Sequence, residues 1–325
     1  MTFFITFLRA IATCLITNSH YTGVYPTDLI ANGGLIGDVI FFAVSGYCLY
    51  NVKGNFLKWY GKRVWRCYLP VLIITAIYMI FGAYTMQTHN AFWWFVYPTY
   101  YHFVASIVVL YVPYFVIMKF DFLRKKIPLI MLIIVATYLA VYIFAYDKSN
   151  YHIDNVREPM IRFLFMESML LGAYFRQNEH RYKDEFSWWM PAGVGVSFVL
   201  YFASKLVFSA KTSMAPLQIV NQVLIFTLLY FVMRTFSAID GKLELMPKWI
   251  KAIVGFLAAR TLEIYVVQYV IIDKLKGLLP FPLNWLLLTA TIILGAFVLH
   301  FVCNVITRGG EMIICKLTKK NRSKI

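Results

Sequence analysis

Long apolar runs of about 20 residues, separated by short polar segments, recur along the whole chain. Such runs favour helices that cross a membrane, because hydrocarbon offers no partner to unpaired backbone amides. A membrane β-barrel would show alternating stretches of about ten residues, whereas the runs here are longer and do not alternate. Only 14% of the 325 residues are charged, too few to cover a soluble domain of this size. The sequence therefore predicts an all-α polytopic membrane protein.

The apolar runs divide into about ten transmembrane helices within a single integral-membrane domain, residues 1–325. We find no internal repeat and no low-complexity segment. The predicted spans are roughly 3–22, 34–52, 70–87, 100–118, 127–146, 159–176, 187–207, 216–234, 251–272 and 283–306.

Lysine and arginine distribution predicts the orientation of these spans. With the N-terminus in the cytoplasm, inner loops and the C-terminal tail hold 22 of these residues, and outer loops hold 5. Because positive charge accumulates on the cytoplasmic side, the count favours an N-in, C-in topology. Between the second and third spans, residues 54–69 mix basic and aromatic side chains, which predicts an interfacial cytoplasmic helix. Such a helix would be either a membrane-surface anchor or a cradle for phosphates.

The net charge of +16 fits positive-inside topology and an anionic ligand better than nucleic-acid binding, because the basic residues are spread loop by loop. The five cysteines form no CxxC pair and no ligand spacing, so we predict no metal. The expected partners are therefore membrane lipid and small anionic or polar ligands, with no nucleic acid. The sequence does not indicate an oligomeric state.

The first predicted span carries two ionisable residues, Arg9 and His20, in the segment FLRAIATCLITNSH. Eleven residues at about 100° each come to within about 20° of three full turns, so both lie on one stripe of a helix, roughly 16 Å apart. Intramembrane ionisable groups are costly and point to function by default. The alternative is that Arg9 extends to inner headgroups and His20 sits in the outer interface.

Other polar residues inside the predicted spans extend this stripe into a candidate polar column. The outward group, considered for substrate binding, is His102, Arg162 and Gln268, with Tyr265 nearby. The middle group is Ser45, Glu167, Arg260 and Glu263. Arg260 and Glu263 are three positions apart and could form an ion pair on one helix face.

Three motifs within the first 70 residues resemble acyltransferase family 3, a family of membrane O-acyltransferases. The first is Arg, ten residues, then His; the second is FFxxSG in DVIFFAVSGYCL; the third is FLKWYGKRVWRCYLP, a basic segment ending in proline. Further on, YYHFVASIVVLY and RTLEIYVVQ resemble later family segments. The resemblance implies transfer of an acyl group, usually acetyl, from a cytoplasmic coenzyme A thioester to a carbohydrate hydroxyl.

The resemblance also implies roles for particular residues. His20 would be catalytic, as general base or through a covalent acyl-histidine, and Arg9 would be essential. On chemical grounds, and not from the resemblance, Glu167 or Glu263 could orient the imidazole, and Tyr265, His102 or Ser45 could donate to the developing oxyanion. The acyl-CoA site would comprise Ser45 of the middle group and the basic residues Arg9, Lys62, Arg63 and Arg66 on the inward side.

Two departures from the family pattern bear on the acceptor. Many members carry a histidine where this chain has Gln268, and a tryptophan shortly after the position of His102.

The expected acceptor is an extracytoplasmic or lipid-linked glycan of a bacterial plasma membrane. Two other classes remain open, a transporter or flippase that uses the same buried charges, and a membrane scaffold or sensor.

Overall fold

The structure, a computed structural model, describes residues 2–96 and 101–322, with the backbone alone for 310–322. The first residue of the predicted fourth span, residue 100, and the end of the basic tail, 323–325, lie outside the described residues. Within the described ranges the chain forms helices and no strand. The helices are α1 Phe3–Ser19, α2 Gly34–Leu49, α3 Phe56–Ile80, α4 His102–Lys119, α5 Asp121–Arg124, α6 Ile127–Phe144, α7 Ile161–Gln177, α8 Glu179–Tyr182, α9 Trp189–Ala210, α10 Ile219–Ala238, α11 Asp240–Glu244, α12 Lys248–Ala259, α13 Thr261–Leu275 and α14 Leu283–Arg322.

Six of these helices are long and apolar enough to cross a membrane: α3, α4, α6, α9, α10 and residues Leu283–Gly309 of α14. Helices α1 and α2 are apolar but shorter, at 17 and 16 residues. Each of the ten predicted spans overlaps a helix, so the all-helical prediction is confirmed. Ten membrane crossings and the N-in, C-in orientation stay predictions.

Two predicted boundaries were wrong. The segment 54–69 is not a separate helix, because α3 continues from Phe56 through Pro70 to Ile80. It begins where the Asn55 side chain accepts a hydrogen bond from the Lys58 amide at 3.0 Å, a helix N-cap. The predicted ninth span is interrupted: α12 ends at Ala259, and Arg260 takes φ −116° and ψ 18° before α13 starts.

The centre of the fold is the close packing of α2 against α7. A methyl group added to Gly46 would overlap the Met169 carbonyl, and one added to Gly172 would overlap the Ala43 carbonyl. The missing side chains therefore let the two backbones touch. Next to this contact the rings of Phe42 and Phe165 stack, with their centroids 4.2 Å apart.

Helix α1 is held in place by three neighbours. Gly37 of α2 lies against the Ala12 carbonyl and the Ile16 side chain, leaving no room for a Cβ. The Asp240 carboxylate of α11 accepts a hydrogen bond from the Phe4 amide at 2.7 Å, so it caps the first turn of α1. The Thr13 hydroxyl donates to that of Thr261 at 2.9 Å, which fixes α1 to the start of α13. These contacts set the direction of the polar residues on α1.

Candidate functional site

A cavity of about 350 Å³ lies at the C-terminal end of α1. Its polar lining includes Ser19, His20, Asp38, His102, Asp154, Tyr201, Lys205 and Tyr265. The loop after α6 reaches this cavity because Gln218 is fully buried and its side-chain oxygen accepts hydrogen bonds from the amides of His152 and Ile153, both at 2.9 Å. Asp154 and Val156 of that loop consequently form part of the wall.

Among the candidate site residues, His20 has the best-defined geometry. Its Nδ1 atom lies 2.7 Å from the Ile16 carbonyl oxygen, which can only accept a hydrogen bond. Nδ1 is therefore the protonated nitrogen, and Nε2 of the neutral ring keeps its lone pair. The Gln268 amide nitrogen lies 3.3 Å from Nδ1, a packing contact because both atoms are donors, and the Tyr269 ring centroid lies 5.0 Å from that of the imidazole. The ring is thus held by α1 and α13, with a basic nitrogen left for other contacts.

The stripe predicted on α1 faces neighbouring helices. Arg9 is half-buried, and its Nη2 atom lies 3.6 Å from the Cys48 sulfur on α2. Thr13, one turn further along, bonds to Thr261. His20 meets Gln268 at the far end of the same stripe. Arg9 and His20 therefore lie on a face of α1 that packs against α2 and α13.

Arg9 of α1 contacts the Cys48 sulfur directly, and Arg63 of α3 and Arg176 of α7 lie at longer range but near enough to act electrostatically on this exposed thiol. Arg176 donates to the Tyr47 hydroxyl at 3.2 Å and pairs with Glu179 at 2.5 Å. Each guanidinium group presents a planar fork of donors, so arginines from three helices near one point are a candidate anion site. We call Arg9, Arg63 and Arg176 the arginine cluster.

Three further residues were predicted for the acyl-CoA site. Lys62 and Arg66 of α3 are exposed, and Ser45 of α2 is half-buried. Ser45 is not among the lining residues of the cavity that holds His20.

The cavity and the arginine cluster are separate features. Arg9 is not among the cavity-lining residues, which on α1 begin at Ile16. Between the two features lies the Thr13–Thr261 hydrogen bond, with both side chains buried. This buried polar pair separates the arginine cluster from the cavity that holds His20.

The predicted carboxylates do not reach His20. Both Glu167 oxygens are buried without a hydrogen-bond partner among the described residues, and Glu167 does not line the cavity. Glu263 pairs with His300 at 2.7 Å instead of with Arg260. The Arg260 guanidinium stacks over the Phe256 ring at 4.0 Å, because the break between α12 and α13 redirects it. The backbone carbonyl of Ile16 makes the orienting contact that was expected of a carboxylate.

Three of the four residues predicted for the acceptor side lie at the cavity or in contact with His20. His102 and Tyr265 line the cavity, and Gln268 contacts His20 from α13. Arg162 is half-buried and is not among the lining residues.

Sequence reasoning missed four charged residues of the cavity and cluster: Asp38, Asp154, Lys205 and Arg176. Asp38 sits in the apolar segment GLIGDVIFF, so the rule that flags intramembrane charges would have found it. Asp154 and Lys205 are 51 positions apart and form an ion pair at 2.6 Å, which no local pattern announces. Among the residues whose side chains are described, no group of three or more His, Cys, Asp or Glu is placed to hold a metal ion.

Comparisons with known proteins add one match. The family model described as an acyltransferase domain, that of acyltransferase family 3, matches residues 3–307. No curated protein and no solved structure matches the chain. The matched range includes all thirteen helices from α1 to α13 and most of α14. The chain therefore belongs to acyltransferase family 3 and is a membrane acyltransferase.

Proposed function

We propose that this protein transfers an acetyl or similar acyl group from cytoplasmic acyl-CoA to a carbohydrate hydroxyl on the outer side of a bacterial plasma membrane. The acceptor would be an exopolysaccharide, a capsule or cell-wall glycan, or a lipid-linked precursor. The observation that carries the proposal is the state of His20. Its Nδ1 proton is engaged by the Ile16 carbonyl, and its Nε2 lone pair is available at a polar cavity.

The arginine cluster supports acyl-CoA as the donor. Coenzyme A carries phosphates that cannot enter hydrocarbon, so they require cations at the membrane surface. Arg9, Arg63 and Arg176 converge from three helices, and the exposed Lys62 and Arg66 add positive charge along α3. The predicted N-in orientation would put this cluster on the cytoplasmic side, where acyl-CoA is found.

Proton transfer at His20 would drive the reaction. Nε2 takes the proton from the acceptor hydroxyl, the hydroxyl oxygen bonds to the thioester carbon, and the carbon–sulfur bond breaks. The released CoA thiolate is then protonated by the imidazolium. A covalent acyl-histidine route would use the same nitrogen as the nucleophile. Tyr265 and His102 share the cavity and are candidates for stabilising the developing oxyanion.

The distance between the two features fits a flexible donor arm. Arg9 and His20 are eleven helical positions apart, which corresponds to roughly 16 Å along the axis. With the phosphates at the arginine cluster, the pantetheine arm would extend along α1 and bring the thioester to His20. To do so it must pass the Thr13–Thr261 contact, which would have to open.

The competing function is a transporter or flippase. The break between α12 and α13 at Arg260 is the feature that favours it, because transporters use interrupted helices to bind substrates. The two functions differ in chemistry, since a flippase moves its substrate without cleaving a thioester.

Purified protein mixed with acetyl-CoA and a glycan acceptor distinguishes the two. Our proposal requires free CoA thiol to appear together with an acetylated glycan detected by mass spectrometry. Acceptor translocation in proteoliposomes, with no thiol release in the presence of acetyl-CoA, would establish the flippase instead.

A further inference from the structure

One carboxylate in the His20 cavity has no cation to balance it. Asp38 of α2 lines the cavity, is only 8% exposed, and makes no hydrogen bond or ion pair with any residue whose side chain is described. Its position is fixed, because Gly34 and Gly37 on the same helix pack directly against Ser19 and Ile16 of α1. A buried carboxylate without a partner is costly, so its retention calls for an explanation.

The other charges around the cavity leave this carboxylate in excess. Asp154 and Lys205 neutralise each other as an ion pair at 2.6 Å. His20 donates through Nδ1 to a backbone carbonyl rather than to a carboxylate, and His102 is the other histidine of the lining. The one ammonium group in the lining is therefore already paired, and the cavity favours hydrogen-bond donors over anions.

From this charge balance we infer that the acceptor group bound beside His20 is an uncharged sugar, held by hydroxyl groups that donate to Asp38, and that anionic sugars are excluded. The inference rests on the proposed function and specifies its substrate class. A sugar ring offers adjacent hydroxyls, so one can face His20 Nε2 while its neighbour donates to the Asp38 carboxylate, which accepts only.

A uronate or a phosphorylated sugar would be disfavoured for a stated reason. Its negative charge would enter a buried cavity whose one ammonium group is already paired, and the ionised form of Asp38 would repel it. The only nearby ammonium, that of Lys205, would first have to leave Asp154. Because this discrimination against anionic sugars depends on Asp38, removing its carboxylate should weaken the preference for uncharged sugars.

The test uses the full-length protein in detergent and three methyl glycosides of identical ring configuration: the glucoside, the glucuronide and the 2-amino-2-deoxyglucoside. Binding of each is measured by the shift in thermal unfolding, and transfer by thiol release from acetyl-CoA. We expect the glucoside to bind about tenfold or more tightly than the glucuronide, since the glucuronide would place an unpaired carboxylate in the cavity. Asp38→Asn should weaken glucoside binding about tenfold and reduce the preference over the glucuronide.

Asp273→Asn is the matched control, because Asp273 is 65% exposed, pairs with Lys276 and lies outside this cavity. It should keep the wild-type preference. Equal or tighter binding of the glucuronide would overturn the inference, as would tightest binding of the amino sugar, which would indicate an ammonium ligand. No binding of the glucoside would overturn it too. Asp38-dependent glucoside binding without thiol release would support the inference and contradict the proposed acyl transfer, so the two can fail separately.

Discussion

The Nδ1 atom of His20 lies 2.7 Å from the carbonyl oxygen of Ile16, one turn earlier on α1. A backbone carbonyl is a fixed acceptor that cannot lose its hydrogen-bonding capacity with pH. It therefore sets the tautomer of the imidazole as a carboxylate would, but without adding a negative charge to the cavity. This contact makes Nε2 the nitrogen available to an acceptor hydroxyl, and several predictions depend on it.

Replacing His20 by alanine should abolish acyl transfer while the protein still folds. A general base contributes roughly 10²- to 10⁴-fold to a rate, and the same nitrogen would be lost to a covalent route. The measurement is thiol release from acetyl-CoA in the presence of acceptor, together with the thermal unfolding profile. His180→Ala is the control, because His180 is exposed on α8 and lies outside the cavity. Full transfer activity in a well-folded His20→Ala variant would remove the catalytic assignment.

Truncating Arg176 should weaken acyl-CoA binding, although neither the basic segment nor the Arg-x10-His motif includes it. Arg176 joins Arg9 and Arg63 at Cys48, so Arg176→Ala removes one of three guanidinium groups from the cluster. A charge-assisted hydrogen bond is worth about 1.5–3 kcal/mol, so the KM for acetyl-CoA should rise by roughly tenfold or more. Arg181→Ala on the exposed side of α8 should leave it unaltered.

In the same cluster, Arg9→Lys tests geometry rather than charge. Lysine keeps the positive charge but lacks the planar fork, so we expect acetyl-CoA affinity to fall by several-fold even though the net charge is constant. The same assay, run at several salt concentrations, separates the two contributions, because screening weakens only the general attraction of charge. Wild-type affinity in Arg9→Lys would indicate that Arg9 acts as a point charge.

The all-helical fold could be predicted from the sequence because apolar length and hydrocarbon chemistry leave few alternatives. The α1 stripe was equally accessible, since helical periodicity alone places Arg9 and His20 on one face. The continuity of α3 could not be predicted from the sequence. A proline at position 70 suggests a helix boundary, but neighbouring helices stabilise a helix that runs through it. Tertiary packing, which a single sequence does not display, decided that element.

The candidate site shows the same division. His102, Tyr265 and Gln268 meet at or near His20, as their depth in the predicted spans suggested. The pairing of Arg260 with Glu263 failed because it assumed an unbroken helix, whereas His300 of α14 supplies the partner of Glu263. Contacts between residues far apart in the sequence, such as Asp154 with Lys205, require the fold itself.

Adding a methyl group at Gly46 or Gly172 should destabilise the protein strongly. At both positions the new carbon would overlap a backbone carbonyl of the opposing helix, which cannot rotate away as a side chain can. Overpacking of this kind costs at least about 1–3 kcal/mol, and we expect a lower unfolding temperature in detergent or loss of folded protein. Gly195→Ala and Gly255→Ala are matched controls, because an added Cβ at either site meets no atom within 4 Å. Equal stability of all four variants would contradict the observed contact between α2 and α7.

Enlarging Thr13 should slow acyl transfer without weakening the binding of coenzyme A. The Thr13–Thr261 contact lies on α1 between the arginine cluster and the His20 cavity, where the pantetheine arm would have to pass. Thr13→Leu adds volume at this point and removes the hydroxyl, so kcat should fall about tenfold or more, because a small misplacement of the reacting group is costly. The affinity for coenzyme A, measured by thermal shift, should stay near that of the wild type, since the arginines are intact.

Thr13→Ser keeps the hydroxyl and should retain activity, and Thr137→Leu on an exposed face of α6 controls for the added bulk. If Thr13→Leu turned over acetyl-CoA at the wild-type rate, the donor arm would have to reach His20 by another path.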